Sequence, residues 1–270
     1  IIRIVWPAFI ELVMSTLFGM VDMVMVGQIS SSAIAAVGLT NQPFMLLLSV
    51  FAAVNVGTTT LVAWNIGGRH LKEARKVTRQ IIIINFILGT ALSVLGVLIA
   101  RPVIIFMGGN SDTIDMATSY FRIVAAGLGF QALTLGITAA LRGAGETKIP
   151  MLYNVGTNLL NVFGNYVLIN GALGFPKLGV SGAALSTTIA RLAACLIGLY
   201  TVFLSRKSII KISFKDNFRL DMKTVKSVFK IGIPSAMEQF VMQSGLMLFA
   251  RIVSSLGTSA FAAHQIGLNI

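Results

Sequence analysis

Along this chain apolar residues gather into long runs that short polar stretches interrupt. Several runs exceed about 18 residues with almost no charge, the length a helix needs to cross a bilayer. The pattern predicts helices over about residues 4–27, 34–66, 80–100, 116–141, 150–169, 180–204 and 228–256, and an eighth begins after a turn at Gly257 and Thr258. Pro43 marks a bend in the second, and Pro150 suits the first turn of the fifth. Lipid leaves no water for an unpaired backbone group, so spanning segments are helices or closed barrels. These runs are too long and too uniformly apolar for barrel strands. The expected fold class is an all-α polytopic membrane protein.

The pattern also repeats. Shifted by 227 residues without a gap, Ile4, Pro7, Glu11, Met20, Val26, Ser32, Ala33, Ala35 and Ala36 fall on Ile231, Pro234, Glu238, Met247, Val253, Ser259, Ala260, Ala262 and Ala263. Two halves on one plan are a mark of secondary transporters. Six predicted helices precede the second copy. An even number returns the chain to the same side, so the halves are expected to be parallel repeats about an axis along the membrane normal. This predicts a six-helix N-terminal bundle over residues 1–204, a connector over 205–227 and the first one to two helices of a second bundle over 228–270.

Composition agrees with a membrane protein: 56% of residues are hydrophobic and 11% charged, where a soluble domain carries about 25% charged. The net charge of +12 invites a nucleic-acid reading, but its placement argues otherwise. Arg69, Lys72, Arg75, Lys76 and Arg79 fall in one predicted loop. Arg206, Lys207, Lys211, Lys215, Arg219, Lys223, Lys226 and Lys230 fall in or beside another, and Arg142 and Lys148 flank a third. These loops alternate with basic-poor ones, so they and the N-terminus are expected in the cytoplasm, with Arg3 at the first helix's cytoplasmic end. The location expected is the cytoplasmic (inner) membrane, and no nucleic-acid motif accompanies the charge. Cys195 is the sole cysteine and reads as apolar filler. No cleavable signal is read, and because the chain opens on Ile1 further residues are expected ahead of it.

The chemistry lies in the few polar residues inside apolar runs. Asp22 sits about 9 Å from the far end of the first predicted helix, where an ionised carboxylate must face the bundle interior or take a proton. Asn154, Asn158, Asn161 and Asn165 follow spacings of 4, 3 and 4, one stripe of the fifth helix. They are either glue between helices or part of a site. Counted from the same side, Asn165 is level with Asp22, and Thr187 lies about seven residues into the sixth helix. Together these oxygens suit a sodium ion or a proton relay, and sodium at Asp22 is the only metal the pattern allows. Glu11 and Glu238 each follow a helix proline, Pro7 and Pro234, by four residues, which suits a shared cleft or packing at a kink. Gln42, Asn55, Gln131, Gln239 and Gln243 are cavity-lining candidates. Arg191 sits mid-helix, where a lone cation is expensive, so it pairs with a carboxylate or lines water. His70 and His264 have no partner at metal-ligand spacing.

Several motifs resemble one family. They are Val21-Asp22-Met23 with Val26-Gly27, Ala35-Ala36-Val37-Gly38-Leu39, Arg142-Gly143-Ala144-Gly145-Glu146-Thr147-Lys148, Gly179-Val180-Ser181-Gly182-Ala183-Ala184-Leu185, and Gly257-Thr258 with Ala262-Ala263-His264-Gln265-Ile266. In this order they resemble the multidrug and toxic compound extrusion (MATE) family across the whole chain. The resemblance implies twelve helices in two lobes and export of organic cations and other amphipathic toxins, driven by proton or sodium antiport. It implies Asp22 as the coupling carboxylate, with Asn161 and Asn165 at positions where the family has an Asn and often an Asp. Asn165 is a departure that leaves one carboxylate fewer. Met242 stands where the family's better-known helix 7 glutamate lies, so Glu238 does not inherit that role. The expected partners are small lipophilic cations and membrane lipid, with no cofactor beyond H+ or Na+ as coupling ion and a monomeric full-length protein. A flippase for a lipid-linked precursor is the alternative, but it needs a cationic cavity, and buried acids are expected to outnumber cavity arginines. No metal-ligand cluster, nucleophile–base pair or phosphate-binding loop points to an enzyme.

Overall fold

A computed structural model of the chain describes residues 2–205, 208–213, 216 and 218–267, without the side chains of 2–4, 260 and 265. Arg206, Lys207 and Lys215 of the basic stretch lie outside the described residues, as do the side chains of Arg3, Ile4, Ala260 and Gln265. The described elements are helical: α1 Ile2–Gly27, α2 Ser31–Gly67, α3 Leu71–Phe106, α4 Ile114–Ala126, α5 Leu128–Gly143, α6 Lys148–Asn170, α7 Val180–Phe203, α8 Met222–Ser254 and α9 Thr258–Gly267. The chain is a multi-pass membrane protein. Among the described residues α1, α2, α3 and α7 are each long and apolar enough to span a bilayer, and α4 with α5 forms a fifth such unit, bent by 47°.

Local chemistry accounts for several helix ends. Ser30 is extended and its hydroxyl accepts from the amide of Ala33 at 3.0 Å, closing the first turn of α2. Gly171, at φ 73°, supplies the left-handed residue that ends α6.

Three boundaries differ from expectation. The stretch 67–79 is not a loop: α3 begins at Leu71, so Lys72, Arg75, Lys76 and Arg79 are helical, and α3 continues through Pro102 to Phe106. Proline is tolerated there because neighbouring groups in a membrane bundle can satisfy the freed backbone. The single helix expected over 116–141 is two helices that meet at Gly127. The helix expected from residue 228 starts at Met222, where Asp221 accepts from the amide of Lys223 as its cap.

The core has three clusters. Phe44, Phe51, Tyr120, Phe121 and Leu128 fill the space between α2, α4 and α5. Val54, Val62, Ile81, Ile137, Tyr153 and Val228 tie α2, α3, α5, α6 and α8. Leu39, Met107, Ala250 and Phe261 bring α8 and α9 onto the start of α2. Helices α2 and α8 cross closely through small residues, the usual device where lipid supplies no hydrophobic drive between helices. A Cβ built on Gly232 would stand 1.8 Å from the carbonyl oxygen of Ala53, and one on Gly57 2.1 Å from that of Val228. Helix α1 is the least enclosed of the first six: from residue 5 onward only Pro7, Glu11 and Val26 are buried.

Candidate functional site

The few polar groups on the enclosed side of α1 meet the asparagine stripe of α6. Asn165 is fully buried, and its amide donates to Asp22 Oδ1. Its own Oδ1 is buried without a partner. One turn back, Asn161 donates to Ser186 Oγ at 3.2 Å and Thr187 Oγ1 at 3.3 Å, both on α7. Asp22, Asn158, Asn161, Thr187, Tyr120 and Arg191 line a cavity of about 510 Å³. The sequence placed Asn165 level with Asp22; the structure joins the two by a hydrogen bond and sets Asn161 and Thr187 in the wall of the same cavity as Asp22.

A second cavity of about 360 Å³ continues toward the other end of α1. It shares Ser15, Gln131, Asn158, Asn161, Thr187 and Arg191 with the first, so the two form one polar space within the bundle of α1, α5, α6 and α7. Glu11 closes its far end. The Glu11 carboxylate accepts from Arg142 Nη2 at 2.7 Å and from Asn154 Nδ2 at 2.6 Å. Arg142 was read as a loop residue, yet it stands in the last turn of α5 and reaches back 131 positions.

Some expected cavity residues are elsewhere. Glu238 is exposed on α8 and lines neither cavity. Gln42 is buried in α2, its Oε1 unpartnered, and lines neither cavity. Asn154 and Asn158 do line the second. Nor do acids outnumber arginines here: Glu11 and Asp22 face Arg142 and Arg191. The balance differs locally, because Arg142 is paired with Glu11 and Arg191 is engaged elsewhere.

That engagement explains the break at Gly127. Carbonyls at the end of α4 are met by side chains of α3 and α7. Ser93 donates to Ala125 O at 2.8 Å and to Ala126 O at 3.0 Å. Thr188 donates to Ile123 O at 3.1 Å, and Arg191 Nη1 donates to Val124 O at 3.3 Å. Arg191 also lies over the Phe44 ring, 4.5 Å from its centroid. A cation at a helix C-terminus meets the negative end of the dipole, so α4 itself offsets part of the cost of holding this guanidinium in the bundle. A Cβ at residue 127 would meet Thr188 Cγ2 at 2.9 Å, which leaves little room for anything but glycine. Neither of the two partners expected for Arg191, carboxylate or water, included a backbone carbonyl.

A family profile described as MatE matches residues 7–167, the stretch that holds Glu11, Asp22 and the asparagine stripe. The chain belongs to the MatE family. It is 36% identical over 98% of its length to the uncharacterized transporter YisQ of Bacillus subtilis, and 32% identical over 100% to a probable multidrug resistance protein NorM of Thermotoga maritima. Among solved structures it is similar to an outward-facing multidrug resistance MATE family transporter of the MOP superfamily, with TM-score 0.84 and 26% identity over 97% of this chain and 57% of that one. It also resembles a MOP superfamily transporter from Pyrococcus furiosus, described as having a binding pocket of reverse polarity, with TM-score 0.83 and 26% identity over 91% of this chain and 53% of that one. The chain spans 58% of the length of each of the two curated relatives.

The MatE match ends before α7, so Thr187 and Arg191 lie outside it. Sequence reasoning noticed both residues but missed the break that one of them supports. The available signal was Gly127 followed by Gly129 inside an apolar run, near the middle of a predicted span.

Proposed function

We propose that this chain supplies the first lobe, residues 1–204, a connector, 205–227, and the opening of the second lobe, 228–270, of a secondary active multidrug exporter. Its substrates are lipophilic organic cations and other amphipathic toxins, exchanged for protons or sodium ions across the cytoplasmic membrane, with the N-terminus and connector on the cytoplasmic side. The observation that carries this reading is the Asp22–Asn165 contact in the wall of the polar space. It ties α1, the least enclosed helix of the six, to α6 at the end away from the Glu11–Asn154 bond. A carboxylate in a membrane interior is expensive and responds to any cation that neutralises it.

The donors are all oxygen: the Asp22 carboxylate, the unpartnered Asn165 Oδ1 and the Thr187 hydroxyl. Hard cations such as sodium take oxygen ligands, and a proton needs only the carboxylate. Either ion at Asp22 changes what the carboxylate offers Asn165, and with it the hold of α6 on α1. Ion and drug then compete for two states of one bundle, each shifting the population by its difference in affinity. Glu11 is held by Arg142 and Asn154 and serves as the anchor at the other end of α1. Pro7, between that anchor and the helix start, lacks an amide hydrogen and weakens the helix there.

The test is efflux of a fluorescent lipophilic cation from cells stripped of their own pumps, using the full-length gene. Wild type is expected to export the dye and Asp22→Asn to lose export at equal membrane expression. Equal export by both removes Asp22 from coupling. Failure of wild type with several dyes removes the substrate class.

A further inference from the structure

The first two turns of α3 carry Lys72, Arg75, Lys76 and Arg79, at positions i, i+3, i+4 and i+7, which share one helix face. With Lys211, Ile212, Ser213 and Asp216 they line a cavity of about 380 Å³ that is separate from the polar space of the bundle. Part of this charge is answered. Lys76 Nζ lies 2.5 Å from Asp221, Arg79 lies 3.9 Å from Asp216, and Arg75 Nε donates to Ile209 O at 3.4 Å. Among the described residues no ion pair reaches Lys72 or Lys211. Five cations therefore line the cavity with one carboxylate, Asp216, while Asp221 and Glu73 stand beside Lys76, and the cavity keeps an excess of positive charge.

Its place in the membrane follows from length. Helix α3 has 36 residues, about 54 Å of rise, against about 30 Å of hydrocarbon. Charged turns stay out of the hydrocarbon, so the basic start of α3 lies at headgroup depth. Apolar residues of the same two stretches are exposed: Leu71 and Ile209 at 43%, Phe218 at 38% and Leu220 at 48%. Trp64, 73% exposed in the last turns of α2, is the residue type enriched at the membrane surface. A cationic cavity among exposed apolar side chains fits a ligand with an anionic head and an apolar tail.

We infer that this cavity binds the phosphate-bearing headgroup of an anionic phospholipid. Basic pockets on the cytoplasmic side of membrane helices recognise such headgroups through several lysines and arginines at once. The site joins α3 to the stretch that leads into α8, so an occupied site links the six-helix bundle to the start of the next. The inference does not depend on which substrate is exported.

The experiment uses the full-length protein in neutral detergent. Its thermal midpoint is followed as phosphatidylglycerol, phosphatidylcholine or inorganic phosphate is added, for wild type and for Lys72→Gln/Lys211→Gln. These two lysines hold no ion pair among the described residues, so their loss spares the fold. Lys177→Gln, on the turn after α6, is the control for removing charge elsewhere. Phosphatidylglycerol is expected to raise the midpoint of wild type and of the control. The double variant is expected to need about 25-fold more lipid, roughly fivefold for each surface cation removed. Equal effects of phosphatidylglycerol and phosphatidylcholine, or an unshifted double variant, overturn the site. A full response to inorganic phosphate, with no gain from the lipid, overturns the lipid assignment in favour of a soluble phosphoanion.

Discussion

Replacing Arg142 by Gln removes the guanidinium that anchors Glu11, and the size of the effect follows from the exposure of each partner. Removing one partner of a fully buried pair costs about 3–5 kcal/mol, because the other charge is stranded. Here the Glu11 side chain is 10% exposed and that of Arg142 42%. Water reaches the guanidinium end, so the expected loss for Arg142→Gln is about 2 kcal/mol. Glu11→Gln is milder: its side-chain oxygen still accepts from Asn154, and Arg142 turns to water, which leaves a loss of about 1 kcal/mol. With both changes no charge is stranded. The double variant is expected to lose about 1.5 kcal/mol instead of the additive sum of about 3 kcal/mol, a coupling of about 1.5 kcal/mol. The assay is unfolding of the purified full-length protein by dodecyl sulfate in mixed micelles, for wild type, both single variants and the double. Losses that add within about 0.5 kcal/mol would mean that the two side chains do not interact, and the anchor role of Glu11 would fall with the pair.

Other expectations are independent of that one. Gly232→Val places a side chain against the backbone of Ala53, where a Cβ already stands 1.8 Å from an oxygen, and should cost about 3 kcal/mol or more by overpacking. Gly245→Val on the same helix, with nothing within 4 Å, should cost little, and equal thermal midpoints for the two would refute the close crossing. The bond from Lys76, with those from Thr224 and the Lys223 amide, holds the Asp221 carboxyl well below the usual carboxylate range. Its contribution is therefore complete at neutral pH and is lost as pH falls from about 4 toward the lower folded value. Protection of the first-turn amides of α8, taken relative to their intrinsic exchange rate at each pH, should fall in wild type on that descent. Asp221→Asn keeps the cap without the charge, so it should exchange faster than wild type at pH 7 and approach it in acid; parallel profiles would remove the ion pair from the account.

Hydropathy reports the medium around a helix, and lipid sets a length that soluble helices need not meet. The spans and the all-helical class therefore stood out in the chain itself. The echo of Ile4–Ala36 in Ile231–Ala263 needed no structure either, since it is a property of the string. Depth along a helix follows from a constant rise per residue, which is why Asp22 and Asn165 could be matched across 143 positions. Rotation and tilt have no such constant. They depend on which side chains interlock, and they decided the rest. Glu11 and Glu238 hold equivalent places in the repeat, yet one is enclosed by Arg142 and Asn154 and the other is exposed. Gly127 in an apolar run reads as continuous helix until Ser93, Thr188 and Arg191 arrive from two other helices to meet carbonyls at the end of α4. Gly57 and Gly232 look like any glycines in membrane helices until α2 and α8 cross at them. One-dimensional quantities such as length, hydropathy and depth survive in a sequence, whereas a partner across the bundle exists only once the helices have packed.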